Sequence, residues 1–121
     1  MYNSNTKILV TGGAGFIGTN FINDLLNRGH NPKCIAVIDN MEYGTYIPKV
    51  HDQIENFHRV DIRNQFVETI IEKFAPEYVY HFAGLVSIYD CHEDPYEAVD
   101  NNILGSINVM NGCLKADVKR I

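Results

Sequence analysis

Lys7-Ile8-Leu9-Val10-Thr11-Gly12-Gly13-Ala14-Gly15-Phe16-Ile17-Gly18 decides how the rest of the chain reads. The run from Lys7 to Thr11 is a short apolar stretch ending in glycines, the mark of a buried strand. From Phe16 the period changes. Ile17, Phe21 and Leu25 lie four apart, with Ile22 and Leu26 beside them, which is the spacing of an amphipathic helix. The helix stops at Arg28-Gly29, a basic last turn followed by the residue that best tolerates a left-handed cap. Between strand and helix, Gly13-x-Gly15-x-x-Gly18 satisfies the dinucleotide fingerprint, and Gly12 precedes it. A tight turn needs residues without Cβ, and a pyrophosphate must approach the backbone closely. The helix N-terminus then offers unpaired N–H groups and a positive dipole. A Walker-type loop is excluded, because Thr19 follows Gly18 and no lysine is there for the β/γ phosphates.

Outward from this loop the same alternation repeats. Cys34 to Ile38 is a second apolar run, ending in Asp39-Asn40. Residues 41–56 are polar and read as a loop with room for one short helix. Phe57 to Val60 is a weak third strand ending at Asp61. Phe66, Val67, Ile70, Ile71 and Phe74 mark a helix closed by Pro76. Tyr78 to Phe82 is a fourth strand, and Ala83 to Asp94 reads as loop. Val99, Ile103, Ile107, Met110 and Leu114 describe a long helix with one apolar stripe. Lys119-Arg120-Ile121 looks like the entry to a fifth strand. The fold class is therefore α/β: a Rossmann-like, doubly wound parallel sheet, truncated after about four strands, with expected order 3-2-1-4. Residues 1–121 read as one incomplete dinucleotide-binding domain with no linker.

Composition narrows the function classes. The chain has 121 residues, 45% apolar and 21% charged, as in ordinary globular chains. No apolar run approaches a membrane span, and the polar start from Met1 to Lys7 is unlike a signal peptide. A net charge of −5 argues against a nucleic-acid footprint. Cys34, Cys91 and Cys113 are odd in number and lack CxxC spacing, which fits a reducing cytoplasm. Cys34 and Cys113 lie in apolar patterns and are expected in the core. His81, Cys91, His92 and Glu93 fit no zinc spacing, so no metal is expected, and His81 reads as a satisfied core histidine. Five of the fifteen acids fall between Asp90 and Asp100 with no base among them. That run reads as a solvated loop entering a helix start, or as a site for a cationic partner.

Two strand-end acids extend the dinucleotide reading. Asp39 follows Gly18 by 21 residues, where an acid hydrogen-bonds the adenosine ribose and repels a 2′-phosphate. No Arg or Lys lies between Asp39 and Tyr46, so NAD is preferred over NADP. Asp39 also reads as a plain turn aspartate. Asp61-Ile62 is placed to meet the adenine, the acid accepting from its amino group and Ile62 packing on its face. The other reading of Asp61 is a cap on the helix around Gln65. Ser87 and Tyr89 read either as substrate-facing groups or as loop residues.

Taken in order, these segments resemble the extended short-chain dehydrogenase/reductase family, the NAD-dependent nucleotide-sugar epimerases and dehydratases. Thr11 to Gly18 is similar to its TGxxGFIG motif, and Val60 to Asn64 to its DIR segment. His81-Phe82-Ala83-Gly84-Leu85 is similar to its fourth-strand motif, and Asp100 to Ser106 to its DNNxxGT helix motif. The wording DIRN, HFAGL and DNN is shared with the 4-epimerase branch. Two departures stand out: Val86 where that branch usually carries a lysine, and Ser106 for the usual threonine. The resemblance implies that Phe16 and Ile17, flanked by Gly12, Gly15 and Gly18, give N–H groups to the pyrophosphate. It implies that Asp39 and Asn40 hold the ribose and that Asp61 and Ile62 meet the adenine. Phe82, Ala83 and Gly84 would line the nicotinamide side. Asn101 would contact the cofactor or order its loop.

The family's proton-transfer pair is Tyr-x-x-x-Lys, and none of the seven tyrosines here has a lysine four residues on. A tyrosinate serves as base toward a sugar hydroxyl and a lysine lowers its pKa. These 121 residues are therefore expected to bind NAD without catalysing on their own, with no catalytic residue among them. A nucleotide sugar is expected as partner only in a longer parent chain. The alternative is a stand-alone, inert NAD-binding or oligomerisation module. An uncovered fourth-strand edge and the long helix lead us to expect a homo-oligomer.

Overall fold

A computed structural model describes residues 3–121; the first two residues of the polar N-terminal stretch, Met1 and Tyr2, lie outside the described residues. Four parallel strands form one sheet: β1 (Ile8–Thr11), β2 (Ile35–Asp39), β3 (Asn56–Arg59) and β4 (Tyr78–His81). Their order is β3-β2-β1-β4, as the sequence predicts, and each strand lies within one residue of its predicted bounds. The register sets Ile8 beside Ile35 and Tyr78, and Thr11 beside Ile38 and His81. All four strands therefore end at one rim of the sheet. Alternate side chains point to opposite faces of a strand. Ile8, Val10, Ile35 and Val37 accordingly pack on one side with Ile22 and Leu25 of α1 (Phe16–Asn27). Leu9, Ala36, Ile38 and Val79 pack on the other with α3 (Phe66–Phe74) and α6 (Gly105–Lys115). Burial on both faces is why the two central strands, β1 and β2, read as apolar runs, while the outer strands β3 and β4 are only partly buried and more polar.

The elements end where local chemistry stops them. α1 gives way at Arg28 to Gly29, whose φ of +81° suits a residue without Cβ. α3 ends on left-handed Ala75, immediately before Pro76. The polar stretch after β2 holds one short helix, α2 (Pro48–His51). After Asp117, the chain runs beside β4, with Tyr78 and Arg120 forming a single parallel bridge. That is the predicted fifth-strand entry. The Lys115–Glu68 ion pair also ties α6 to α3 at 2.6 Å.

Four expectations need correction. Residues 83–94 are not all loop, because α4 (Ile88–Glu93) forms there, with the Ser87 hydroxyl accepting from Asp90 N–H. Its large apolar residues, Ile88 and Tyr89, face out, so no buried stripe announced it. The long helix is not uniform. It comprises α5 (Pro95–Val99), capped by Asp94, then a π-helical stretch at Asp100–Leu104, then α6. Its predicted apolar stripe is not the core face: Val99, Ile103, Ile107, Met110 and Leu114 are exposed. The face that packs is Gly105, Val109, Gly112 and Cys113. A Cβ at Gly105 would sit 2.7 Å from Ile62, and one at Gly112 would sit 2.9 Å from Ile71. The helix approaches so closely that small residues, not large apolar ones, make the contact. Finally, Cys34 lies half-buried in a 3-10 turn rather than in the core. Cys113 is in the core, where burial pushes its thiol up to about 11.

Candidate functional site

The glycine turn connects β1 to α1 at the rim of the sheet. Gly12 has φ +67°, and a Cβ there would fall 2.7 Å from Ala83 N, so this part of the loop lies against the end of β4. Gly12 N–H donates to Ile38 O (2.8 Å) and Gly15 N–H to Gly12 O (3.1 Å). Ala14 N–H donates to Asp39 Oδ2 (2.9 Å). The Gly12, Ala14 and Gly15 amides of the turn are thus spent within the fold. The first amides of α1 are not: Phe16, Ile17 and Gly18 N–H find no acceptor among the described residues. The N-cap, Gly15, supplies no side chain, and the first turn carries no acid. Ile17, read from sequence as the first position of the amphipathic stripe, is instead 62% exposed, and Phe16 before it is 87% exposed.

The ends of β2 and β3 bring acids to this opening. Asp39 is buried, and its carboxylate accepts from Ala14 N–H and from Met41 N–H (2.8 Å). It is therefore both a turn aspartate and the partner of the glycine loop. Asn40 Nδ2 reaches Glu42 and Asp61. Asp61 accepts from Arg63 through Nε (3.0 Å), the second guanidinium nitrogen (2.7 Å) and the backbone N–H (2.8 Å). This grip by Arg63 holds the carboxyl down at about 2, against the opposing effect of burial. The alternative of Asp61 capping α3 does not hold; Asn64 closes that turn by accepting from Phe66 N–H. Arg63 also reaches Glu97 (3.5 Å) and Asp100 (3.9 Å). Part of the acidic run from Asp90 to Asp100 is thus paired internally. Ile62 is only 4% exposed and its side chain packs in the core, which does not leave it free to lie on the face of a bound ring as expected.

The end of β4 is set by a chain of hydrogen bonds. Ser106 Oγ donates to Asn102 O (2.6 Å) and so accepts from His81 Nε2 (2.9 Å). His81 Nδ1 then accepts from Thr11 Oγ1 (2.6 Å), which accepts from Ala83 N–H (3.2 Å). His81 is satisfied at both nitrogens, and burial pushes its pKa down. Asn102 holds Leu85 at both N–H and C=O (2.7 and 2.9 Å). The loop-ordering role expected of Asn101 therefore belongs to Asn102. Asn101, one position away in the π-helical stretch, faces the opening instead. π-helical turns recur at functional sites because they re-aim side chains within a helix.

These elements enclose a cavity of about 340 Å³ at the carboxyl ends of the strands, where open α/β sheets hold their ligands. Gly12, Gly15, Phe16, Ile17, Gly18, Asp39, Asn40, Asp61, Ile62, Phe82, Ala83, Gly84 and Asn101 all line it. The sequence reading missed Glu42, Tyr43 and Gly44, which line it from the polar loop without a periodic signal. It also missed the buried His51, which binds Gly13 O from behind. Ser87 and Tyr89 are not part of the wall: Ser87 is spent as a cap and Tyr89 is exposed. No group of three or more metal-ligating side chains occurs among the described residues. No helix among them is long and apolar enough to cross a membrane.

A family model matches residues 8–121, that of the NAD dependent epimerase/dehydratase family. The chain belongs to that family. It is 35% identical along its whole length to a bifunctional UDP-glucose 4-epimerase and UDP-xylose 4-epimerase of Pisum sativum, covering 37% of that protein. It is 34% identical over 95% of its length to the UDP-glucose 4-epimerase of Yersinia enterocolitica, covering 35% of it. The chain thus spans little more than a third of these epimerases. Among solved structures, it is similar to the UDP-glucose 4-epimerase of Thermus thermophilus in complex with NAD. The TM-score is 0.80 and the identity 36%, with 93% of this chain and 35% of that one covered.

Proposed function

We propose that residues 1–121 form the NAD-binding portion of a nucleotide-sugar epimerase or dehydratase. One observation carries the reading: three amides at the N-terminus of a 12-residue helix are unspent and face a cavity that no acid of the first turn fills. Such a seat suits a pyrophosphate. Asp39 retains acceptor capacity for ribose hydroxyls beyond the two amides it already holds. Asn40 and the main chain at Asp61-Ile62 border the adenine end, while Phe82, Ala83, Gly84 and Asn101 border the nicotinamide end.

NAD, when bound, supplies a hydride acceptor for a sugar hydroxyl carbon. This chain's contribution is to bind and orient it; the Tyr-x-x-x-Lys proton relay is not among these residues. The acids at the cavity favour NAD over NADP, since Arg63 is already held by Asp61, Glu97 and Asp100. Calorimetric titration is expected to show NAD binding, with NADP at least about tenfold weaker. Absent binding of either, or equal binding of both, overturns the reading.

The exposed stripe on the long helix favours self-association as well. Val99, Ile103, Ile107, Met110 and Leu114 form an apolar band that a second copy of this chain would cover. Sedimentation is expected to give a dimer or larger, and Ile107→Glu to shift it to monomer. Wild-type chain at monomer mass counts against this.

A further inference from the structure

His51 is fully buried, lies outside the cavity wall, and has a fixed role for each ring nitrogen. Ile47 N–H donates to Nδ1 at 2.8 Å. The proton must therefore be on Nε2, which lies 3.0 Å from the carbonyl oxygen of Gly13. Tyr46 and Phe57 pack against the ring, with centroids 5.2 and 5.5 Å away, and against each other at 5.5 Å. The other end of the same peptide is anchored too, because Ala14 N–H donates to Asp39 Oδ2. A peptide is planar, so its C=O and N–H point in opposite directions. Two partners on opposite sides then fix which way it faces. The next carbonyl, Ala14 O, is taken by Thr45 N–H at 2.9 Å. Thr45 and His51 thus act as a strap that ties both loop carbonyls down.

We infer that His51 is a positioning residue of the cofactor site, its Nε2–H holding the Gly13 carbonyl away from the pyrophosphate seat. This rests on the reading of the cavity as an NAD site. The peptide lies between Gly13 and Ala14, and because Gly13 has no Cβ to bias its backbone, a flip is less hindered here than between two residues that carry side chains. Turned over, it would aim a carbonyl dipole at a phosphate. Thr19 Oγ1 also donates to Gly13 O, at a longer 3.2 Å, and serves as a secondary tether. An apolar side chain could fill the space of the imidazole and pack against Tyr46 and Phe57, but it could not hold the carbonyl.

The test compares two substitutions that each keep half of the histidine. In His51→Gln, the amide nitrogen reaches where Nε2 was and still donates to Gly13 O. In His51→Asn, the side-chain oxygen replaces Nδ1 toward Ile47, and the donor is lost. Both should lower the denaturation midpoint to a similar degree. His51→Asn is expected to weaken NAD binding about tenfold, with a similar acceleration of Ala14 amide exchange in the ligand-free chain. His51→Gln should stay within about threefold on both. Equal loss of affinity and equal acceleration of exchange in the two variants, in step with stability, overturn the inference, as does no change in either. Failure of the wild-type chain to bind NAD overturns the NAD reading instead; Ala14 exchange then decides the role of His51 alone.

Discussion

Gly18→Ala is expected to abolish measurable NAD binding and to destabilise the fold by about 3 kcal/mol, although alanine is the better helix former. At an ordinary helical position the exchange would gain roughly 1 kcal/mol. Here the new Cβ would lie 2.2 Å from Gly12 O, 2.7 Å from Gly13 Cα and 2.9 Å from Gly12 C. All three are backbone atoms of the loop, so no side chain can swing aside. Relief requires α1 to move off the loop, which lifts Ile22 and Leu25 from the sheet. It also displaces the three unspent amides from one another's geometry, and a shift of about 1 Å in a positioned group commonly costs two orders of magnitude. Gly29→Ala is the control. Its Cβ meets nothing within 4 Å, but the residue sits at φ +81°. It should lose about 1 kcal/mol through left-handed strain and leave NAD affinity alone. Urea denaturation and calorimetric titration read both effects. A Gly18→Ala chain with wild-type midpoint and affinity would falsify the packing argument.

The same contrast explains what was legible in the sequence. Strand positions and sheet order could be read because Leu9, Ala36, Ile38 and Val79 are buried on one face and Ile8, Val10, Ile35 and Val37 on the other. Such runs leave few alternatives. The glycines and strand-end acids of the cavity wall could be read because they have a stereochemical purpose that their spacing exposes; Phe16, Ile17, Asn40, Phe82, Ala83, Gly84 and Asn101 came only from the family resemblance. Hydrophobicity misled at α6, where the larger side chains face outward and Gly105 and Gly112 make the contact. Contacts formed by closeness leave no apolar period. Asn102 was passed over because the family resemblance pointed to Asn101, and nothing in the sequence marks the π-helical turn that sets which of the two adjacent residues holds the loop. His51 carried no signal, since its partner is a backbone carbonyl 38 residues away.

Asp39→Asn is expected to weaken NAD binding by about a hundredfold and to erase most of the preference over NADP. The two effects have separate causes. Both carboxylate oxygens accept from buried or half-buried backbone amides, Oδ2 from Ala14 and Oδ1 from Met41. An asparagine has one acceptor and one donor end. Whichever way it turns, its NH₂ confronts one of those N–H groups and leaves it without a partner. An orphaned buried donor costs about 1–3 kcal/mol, and here the loss falls on the peptide that shapes the phosphate loop. Charge governs the second effect. A carboxylate about 4 Å from a 2′-phosphate is opposed by roughly 4 kcal/mol per charge pair in a partly solvated site, and the neutral amide removes that barrier. Arg63 does not offset it, being committed to three carboxylates. Titrating wild type and Asp39→Asn with both cofactors separates these contributions. Loss of NAD affinity with discrimination retained would assign Asp39 to loop geometry alone and place specificity on Glu42 and Asp61. Loss of discrimination with NAD affinity intact would make its hydrogen bonds to Ala14 and Met41 dispensable.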